Sequence, residues 1–270
     1  MKELIESIQN KLVKKIKALQ QRKNREKESL FIVEGVRFVQ EIPINYTIVF
    51  YAVSNTFQKI NDISIYENRS QVFVFSDDVF RTIADTQHTQ GILAVCQKKE
   101  IELSHFKLKE KGFYILVEKI QDPGNLGTII RTADACNVDA IFLSKGCVDL
   151  YNTKVLRSTM GSLFHIPIFC NVNLEKYIDN MKQKNITVFA AHLKAKQYYY
   201  TTDLKKGCAF LIGNEGKGIS DTVAKKCDKL IKIPMLGQAE SLNASVATAV
   251  LLYEVVRQRL MSERKIYENI

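Results

Sequence analysis

Short apolar runs alternate with stretches of helical periodicity along almost the whole chain. Up to residue 97 the runs are Leu30–Val33, Thr47–Val53, Val72–Phe75 and Gly91–Cys96, each of strand length. Helical spacing fits Val36–Glu41 and Ser76–Ala84, with Ser76 placed to cap the second. Leu4, Ile5, Ile8, Leu12, Ile16 and Leu19 also recur at helical spacing, which predicts one amphipathic helix over residues 4–22. These elements predict a small α/β domain over residues 1–97. Residues 98–111, from Lys98 and Glu100 to Lys109 and Lys111, are polar and charged and read as a linker.

From Gly112 the alternation resumes in a different company. Strands are predicted at Phe113–Val117, Ala140–Leu143, Ile166–Phe169, Thr187–Ala190, Cys208–Ile212 and Leu230–Ile233. Helices are predicted at Leu126–Ala135, Thr153–Met160, Leu174–Lys182 and Ala244–Leu260. Nearly continuous apolar strands interleaved with helices imply a parallel sheet covered on both faces, over residues 112–270. Only Gly35 and Gly91 precede this part; the other ten glycines and three of the four prolines fall within it. Many of those glycines follow apolar strands, and ligands of parallel sheets bind at the strands' carboxyl ends.

Composition refines this picture without redirecting it. The chain has 270 residues, 46% hydrophobic and 25% charged, enough for a core of ordinary size. Its formal charge of +10 points to a polyanionic partner, nucleic acid or an anionic membrane surface. Lys11, Lys14, Lys15, Lys17, Arg22, Lys23, Arg25 and Lys27 concentrate that charge near the N-terminus. Met1-Lys2-Glu3 opens a charged pattern and not a signal peptide, and no apolar run is long enough to span a bilayer. A cytoplasmic protein without membrane attachment is expected. The six cysteines form no C-x-x-C pair and read as reduced, buried thiols; the four histidines are scattered, so no metal site is expected.

Three segments carry candidate chemistry. The first, Glu118 to Arg131, leaves a strand, turns at Pro123-Gly124 and enters a helix, with Asn125 where an N-cap would stand and Arg131 near two turns on. The second, Leu211 to Ser220, places Gly213, Gly216 and Gly218 after an apolar strand, a composition suited to wrapping a ligand with backbone. It is not a phosphate-binding P-loop: Ile219 stands where the lysine is required, and Glu215 would repel a triphosphate. No G-x-G-x-x-G accompanies the first segment, so a dinucleotide site is disfavoured too. The third, Ile233 to Ala247, gathers Glu240, Ser241, Asn243 and Ser245 at a helix start.

Together, Asn125–Ala133, Ile212–Ser220 and Ile233–Ala247 resemble the three motifs of the SpoU/TrmH family of RNA ribose 2′-O-methyltransferases, within the SPOUT superfamily. Leu156–Gly161, with Arg157, is similar to the family's pattern as well. The resemblance implies an α/β domain with a deep trefoil knot, bent S-adenosyl-L-methionine held by the second and third motifs, and a homodimer. It implies cofactor contacts at Gly213, Ile233 and Leu242, with Asn214, Gly216, Met235 and Gly237 beside them. Phe31–Arg37 resembles the RNA-binding α/β sandwich that many rRNA-directed members carry in front. The first motif departs from the family in having Cys136 and Asn137 where an aromatic residue and a glycine are usual; a packing adjustment is expected.

The implied reaction moves a methyl group to a ribose 2′-hydroxyl of RNA, ribosomal RNA in preference to tRNA. Such a hydroxyl must lose its proton and be aligned with the methyl donor. Arg131 is the base to which the resemblance points, although a guanidinium, which does not give up its proton in proteins, suits phosphate clamping better. Asn125 is expected to position Arg131 or the ribose, Glu215 to order the second segment by pairing with Arg131, and Ser241 and Asn243 to bond substrate or cofactor. Lys14, Lys15, Arg22, Lys23, Arg25, Arg37 and Arg157 are the expected RNA contacts. A non-catalytic RNA-binding protein on the same fold is a rival that would leave the Asn125, Arg131, Glu215 and Asn243 set without a purpose; among enzymes a tRNA ribose methyltransferase is the runner-up, and the Asn125/Arg131 pair disfavours a base-methylating SPOUT enzyme.

Overall fold

The computed structural model describes residues 3–99 and 101–263; Met1, Lys2 and Glu100, named above, lie outside the described residues. The chain divides into two units, residues 3–99 with 149–164, and residues 101–148 with 165–263.

The first unit is built on a sheet in the order β1-β4-β3-β5-β2, from β1 Leu4–Ile5, β2 Leu30–Glu34, β3 Ile48–Ser54, β4 Val72–Phe75 and β5 Ile92–Gln97. β5 runs antiparallel to β2 and β3, and the remaining pairings are parallel. The strands read as continuous apolar runs because both faces are covered. Ile32, Phe50, Leu93 and Val95 meet α1 (Lys11–Leu19) and α6 (Asp77–Ile83). Phe31, Val33, Tyr51 and Val53 meet α3 (Val36–Gln40), α4 (Asn55–Ile60) and α5 (Ser64–Glu67).

The predicted helix over residues 4–22 is three elements. Leu4 and Ile5 pair with Val74 and Phe75 as a strand. The helix begins only at Lys11, because Asn10 accepts the Leu12 N–H at 2.8 Å and caps it. It buries Val13, Ile16 and Leu19, whereas Ile8 is exposed. Gln21 is extended and starts a second helix, α2 (Arg22–Glu28).

Arg25 on α2 corrects another expectation. It is only 3% exposed. Its guanidinium donates to Asp149 Oδ2, to Leu19 O at 2.9 Å and to Gln20 O at 2.7 Å. A side chain so engaged ties α2 and the end of α1 to the 149–164 segment and has no donor aimed at solvent phosphate. That segment holds α8 (Thr153–Thr159), whose Leu156 sits in the first unit's core.

The second unit is a seven-stranded, wholly parallel sheet in the order β10-β12-β9-β11-β6-β7-β8. Its strands are β6 Phe113–Val117, β7 Ala140–Ser144, β8 Ile168–Val172, β9 Thr187–Ala191, β10 Gln197–Tyr198, β11 Cys208–Ile212 and β12 Lys229–Lys232. α9 (Leu174–Gln183) and α10 (Asp221–Ala224) cover one face with Tyr177, Ile178, Met181 and Val223, over Tyr114, Phe142, Val188 and Leu211. α7 (Pro123–Ala135) and α11 (Ala244–Glu263) pack on each other. Leu103, Phe106 and Leu108 of the polar 98–111 stretch pack against the first of these faces, Phe106 lying 5.0 Å from the Phe169 ring. Asn137, which stands in place of the usual glycine, takes a left-handed φ of 55° just past α7, a conformation asparagine tolerates.

Removing one partner from a buried ion pair strands the other. Arg25→Ala is therefore expected to lower the unfolding free energy by about 3–5 kcal/mol. Lys14→Ala, on the exposed face of α1, should stay within about 0.5 kcal/mol. Urea denaturation of both variants checks the contrast; near-equal midpoints would show that Arg25 contributes nothing particular.

Candidate active site

Three loops leave the carboxyl ends of the central strands: residues 118–122 after β6, 213–220 after β11 and 233–243 after β12. Asn125, in the first turn of the helix after the first loop, meets one side chain from each of the other two. Asp122, not Asn125, caps α7, accepting the Asn125 N–H at 2.8 Å. Asn125 thereby sits in the first turn with its side chain free to reach across loops. Its Nδ2 donates to Glu215 Oε1 at 3.1 Å, and its Oδ1 accepts from Asn243 Nδ2 at 2.9 Å. Asn243 Oδ1 in turn accepts the Ser245 N–H at 2.9 Å and the Ser245 hydroxyl at 2.7 Å, capping α11. Thus Asn125, Glu215 and Asn243 are brought together as one network.

The Glu215 carboxylate also accepts the backbone N–H of Gln121 at 3.1 Å and of Asp122 at 3.0 Å. These are donors at the N-terminal end of α7, where a negative charge is favourable. Burial alone pushes the Glu215 carboxyl up. The hydrogen bonds from Asn125 and from the N–H groups of Asp122, Glu215 and Gln121 outweigh it and hold the group below its usual range. The Glu215 carboxylate is thus engaged by amides of the first loop and of Asn125, and not by Arg131.

The 213–220 loop is fixed at both ends. Asn214 and Gly218 exchange backbone hydrogen bonds at 3.0 and 2.9 Å, and Asn214 Oδ1 accepts from Gly216 and Lys217 N–H. Asn214 Nδ2 reaches Lys119 O at 2.8 Å. Buried Glu118 accepts the Ser220 N–H at 2.9 Å and its hydroxyl at 2.6 Å. Gly213 lies so close to Gly218 that a Cβ would fall 2.3 Å from a backbone carbonyl carbon.

Between this loop, the 233–243 loop and the start of α11 lies a cavity of about 670 Å³. Gly213, Asn214, Glu215, Gly216, Ile233, Met235, Ser241, Leu242 and Asn243 all line it. Gly237 does not; it is exposed, beside the 96% exposed Leu236. Apolar Ile212, Ile231 and Leu251 form further wall, and loop backbone supplies donors and acceptors. That mixture suits a molecule with a flat apolar base and a polar tail, and S-adenosylmethionine has both. Glu118, Asp122 and the wall at His192-Leu193-Lys194 were not anticipated from the sequence. The rule that sites gather at strand ends could have flagged Glu118, directly after β6, and His192, directly after β9.

Arg131 is not brought to the network. It is exposed on α7 and its side chain makes no hydrogen bond or ion pair among the described residues. Six helical residues separate it from Asn125, about 9 Å along the axis and about 120° around it. Asn125 is committed to Glu215 and Asn243, so it does not position Arg131 directly. In the first unit, Lys15 pairs with Glu28, Arg22 with Glu26 and Arg157 with Asp85. Lys14, Lys23 and Arg37 are exposed with no such pairing among the described residues. No group of three His, Cys, Asp or Glu able to hold a metal ion occurs among the described residues.

The sequence model of the SpoU rRNA methylase family matches residues 112–253, and that of the MRM3-like substrate binding domain matches residues 10–94. The chain belongs to the SpoU rRNA methylase family. It is 37% identical over 251 residues to the 23S rRNA (guanosine(2553)-2′-O)-methyltransferase RlmP of Bacillus subtilis, spanning 93% of this chain and 98% of that protein. An AdoMet-bound rRNA methyltransferase from Sinorhizobium meliloti superposes with a TM-score of 0.84 at 30% identity, over 94% of this chain and 97% of that one. The SpoU methyltransferase AviRb from Streptomyces viridochromogenes, in complex with AdoMet, gives 0.84 at 25% identity, over 93% and 99%. This SpoU protein is an S-adenosylmethionine-dependent RNA 2′-O-methyltransferase.

Two outcomes test the site. Gly213→Ala should abolish S-adenosylmethionine binding in calorimetry, because the loop cannot admit a Cβ. Gly237→Ala, with nothing within 4 Å of the added carbon, should leave it unchanged. Second, a carboxyl whose folded pKa is depressed stabilises the fold above its unfolded pKa and loses that contribution as pH falls through the folded value. The Gln121 and Asp122 amide resonances should therefore stay put through the ordinary glutamate range and shift only below it. An NMR titration checks this, with Glu215→Gln expected to flatten the response.

Proposed function

We propose that this enzyme methylates the 2′-hydroxyl of a guanosine in large-subunit ribosomal RNA, and that Arg131 is its substrate-facing catalytic residue. The observation that carries the reading is the Asn125–Glu215–Asn243 network, which joins all three motif loops around one cavity. Likeness to RlmP over nearly its full length supports the choice of RNA. When bound, S-adenosylmethionine supplies an electrophilic methyl group. Gly213, Ile233 and Leu242 hold it, with Asn214, Gly216 and Met235 at the wall. Arg131, exposed and unpaired, clamps the phosphate beside the target ribose and orients the hydroxyl; a phosphate oxygen or water takes the proton. Ser241, exposed at the cavity wall, bonds substrate or cofactor.

In this reading residues 1–97 select the RNA, 98–111 link, and 112–270 catalyse. Of the expected contacts, Lys14, Lys23 and Arg37 are exposed and without an ion pair among the described residues, which suits them to phosphate. The 112–270 region closes as a trefoil knot; in support, β11 inserts between β9 and the earlier β6, and α11 returns onto α7. The enzyme works as a homodimer. Val246, Tyr253 and Leu260 support this as an exposed apolar row at seven-residue spacing along α11. It acts in the cytoplasm, in keeping with Cys96, Cys136 and Cys208 kept as buried thiols, and no described helix is long and apolar enough to cross a membrane.

Arg131→Ala should lower kcat at least about 100-fold, the scale of one lost electrostatic contact in a transition state, with S-adenosylmethionine affinity unchanged. Tritiated methyl transfer to 23S rRNA measures it, and mapping 2′-O-methyl sites in a deletion strain identifies the nucleotide. Retained turnover in the variant removes Arg131 from the chemistry; no transfer by the native enzyme removes the reading itself.

A further inference from the structure

The edge of the second unit's sheet carries three tyrosines that do not line the methyl-donor cavity. Tyr198, Tyr199 and Tyr200 follow one another where β10 ends. The rings of Tyr198 and Tyr200 lie parallel, 7° apart in plane and 5.5 Å between centroids. Tyr199 stands edge-on to Tyr200 at 5.2 Å. Lys232, the register partner of Tyr198 on β12, places its ammonium 5.1 Å from the Tyr198 ring centre. Tyr198 is 38% and Tyr200 48% exposed, so a large aromatic area faces water.

The platform is held in place. Thr201 donates to Tyr198 O at 2.8 Å and Thr202 to Tyr199 O at 2.6 Å. Gln258 on α11 grips both sides of the following turn, donating to Thr202 O at 3.0 Å and accepting from Leu204 N at 2.9 Å. The surroundings are cationic. Lys194, Lys196, Lys205 and Lys206 flank the tyrosines against Asp203, and nearby Glu254 is neutralised by Arg257. Lys194 and Lys232 also line the cavity proposed for the methyl donor.

A rigid, exposed aromatic stack with lysines around it matches what a base and its phosphate need. Every base offers a π-face, and ammonium groups offset the backbone charge. We infer that Tyr198 and Tyr200 stack an unpaired nucleotide of the RNA substrate, with Lys194 and Lys196 holding its phosphates beside the methyl-transfer cavity. The inference rests on the RNA methyltransferase reading for its substrate, but its binding test does not require turnover.

The test uses the full chain and a fluorescein-labelled oligoadenylate of about 12 nucleotides, within the span such sites cover. Tyr200→Leu should raise its Kd about tenfold, the scale of one lost base–aromatic stack. Tyr200→Phe should keep the native value, since stacking needs the ring and not the hydroxyl. S-adenosylmethionine affinity should be the same in all three proteins. In the native enzyme, an oligonucleotide bearing one 4-thiouridine should photocrosslink to the peptide containing residues 198–200. Equal oligonucleotide affinity in Tyr200→Leu overturns the inference. So does a loss in Tyr200→Phe as large as in Tyr200→Leu, or a crosslink elsewhere. A fall in oligomer mass by light scattering alongside the lost affinity would also overturn it, and reassign the tyrosines to contacts between copies. Failure of methyl transfer with stacking intact would count against the catalytic reading alone.

Discussion

The site depends on one carboxylate placed among amides. Glu215 takes two backbone N–H groups at the start of α7 and the Asn125 side-chain amide, and Asn125 passes the connection to Asn243 at the start of α11. Two helix N-termini and one glycine-rich loop are thereby set relative to one another by a short chain of hydrogen bonds. Each bond alone contributes about 1 kcal/mol, rather more where the acceptor is charged. Their combined effect is geometric: the loops that line the cavity cannot drift independently while Asn125 spans them. Glu118 performs the same service at the loop's far end, through Ser220.

This explains why arginine pairing is absent from the network. A guanidinium on Glu215 would displace the amides that order the loop, and would itself be withdrawn from RNA. Arg131 is left exposed, and in the proposed function its positive charge serves the substrate. The same division runs through the first unit. Arg25 is spent on Asp149 and two helix carbonyls, whereas Lys14, Lys23 and Arg37 face water. Sequence position alone does not separate these classes, since Lys23 and Arg25 stand two residues apart in one basic run.

The legible parts were those whose physics is local. Apolar runs located β2 to β9, β11 and β12 to within three residues, because strands buried on both faces must be apolar throughout. Glycine placement located the loops, because Gly213 has no room for a side chain against Gly218. Failures came where a distant partner decides. Leu4 and Ile5 fit a helical stripe, yet β4 offers them a free edge. Asn125 has the chemistry of a cap, but Asp122 precedes it and takes the cap, which frees Asn125 for its longer reach. The 98–111 stretch is polar on average, while Phe106 alone finds an aromatic pocket made by Tyr114, Phe142 and Phe169.

The arrangement also bears on how a poor nucleophile can be activated without a conventional base. None of the polar side chains in the network is placed to accept a proton freely. Glu215 has its oxygens occupied and its carboxyl held below the usual range, and Asn125 and Asn243 do not titrate. A site built this way favours alignment over proton abstraction, and holding the reacting atoms in line can lower a barrier by about 7–11 kcal/mol. On the function proposed above, the network serves the chemistry by holding the walls against which the methyl donor and the ribose are brought into line, and the proton goes to the substrate's own phosphate or to water.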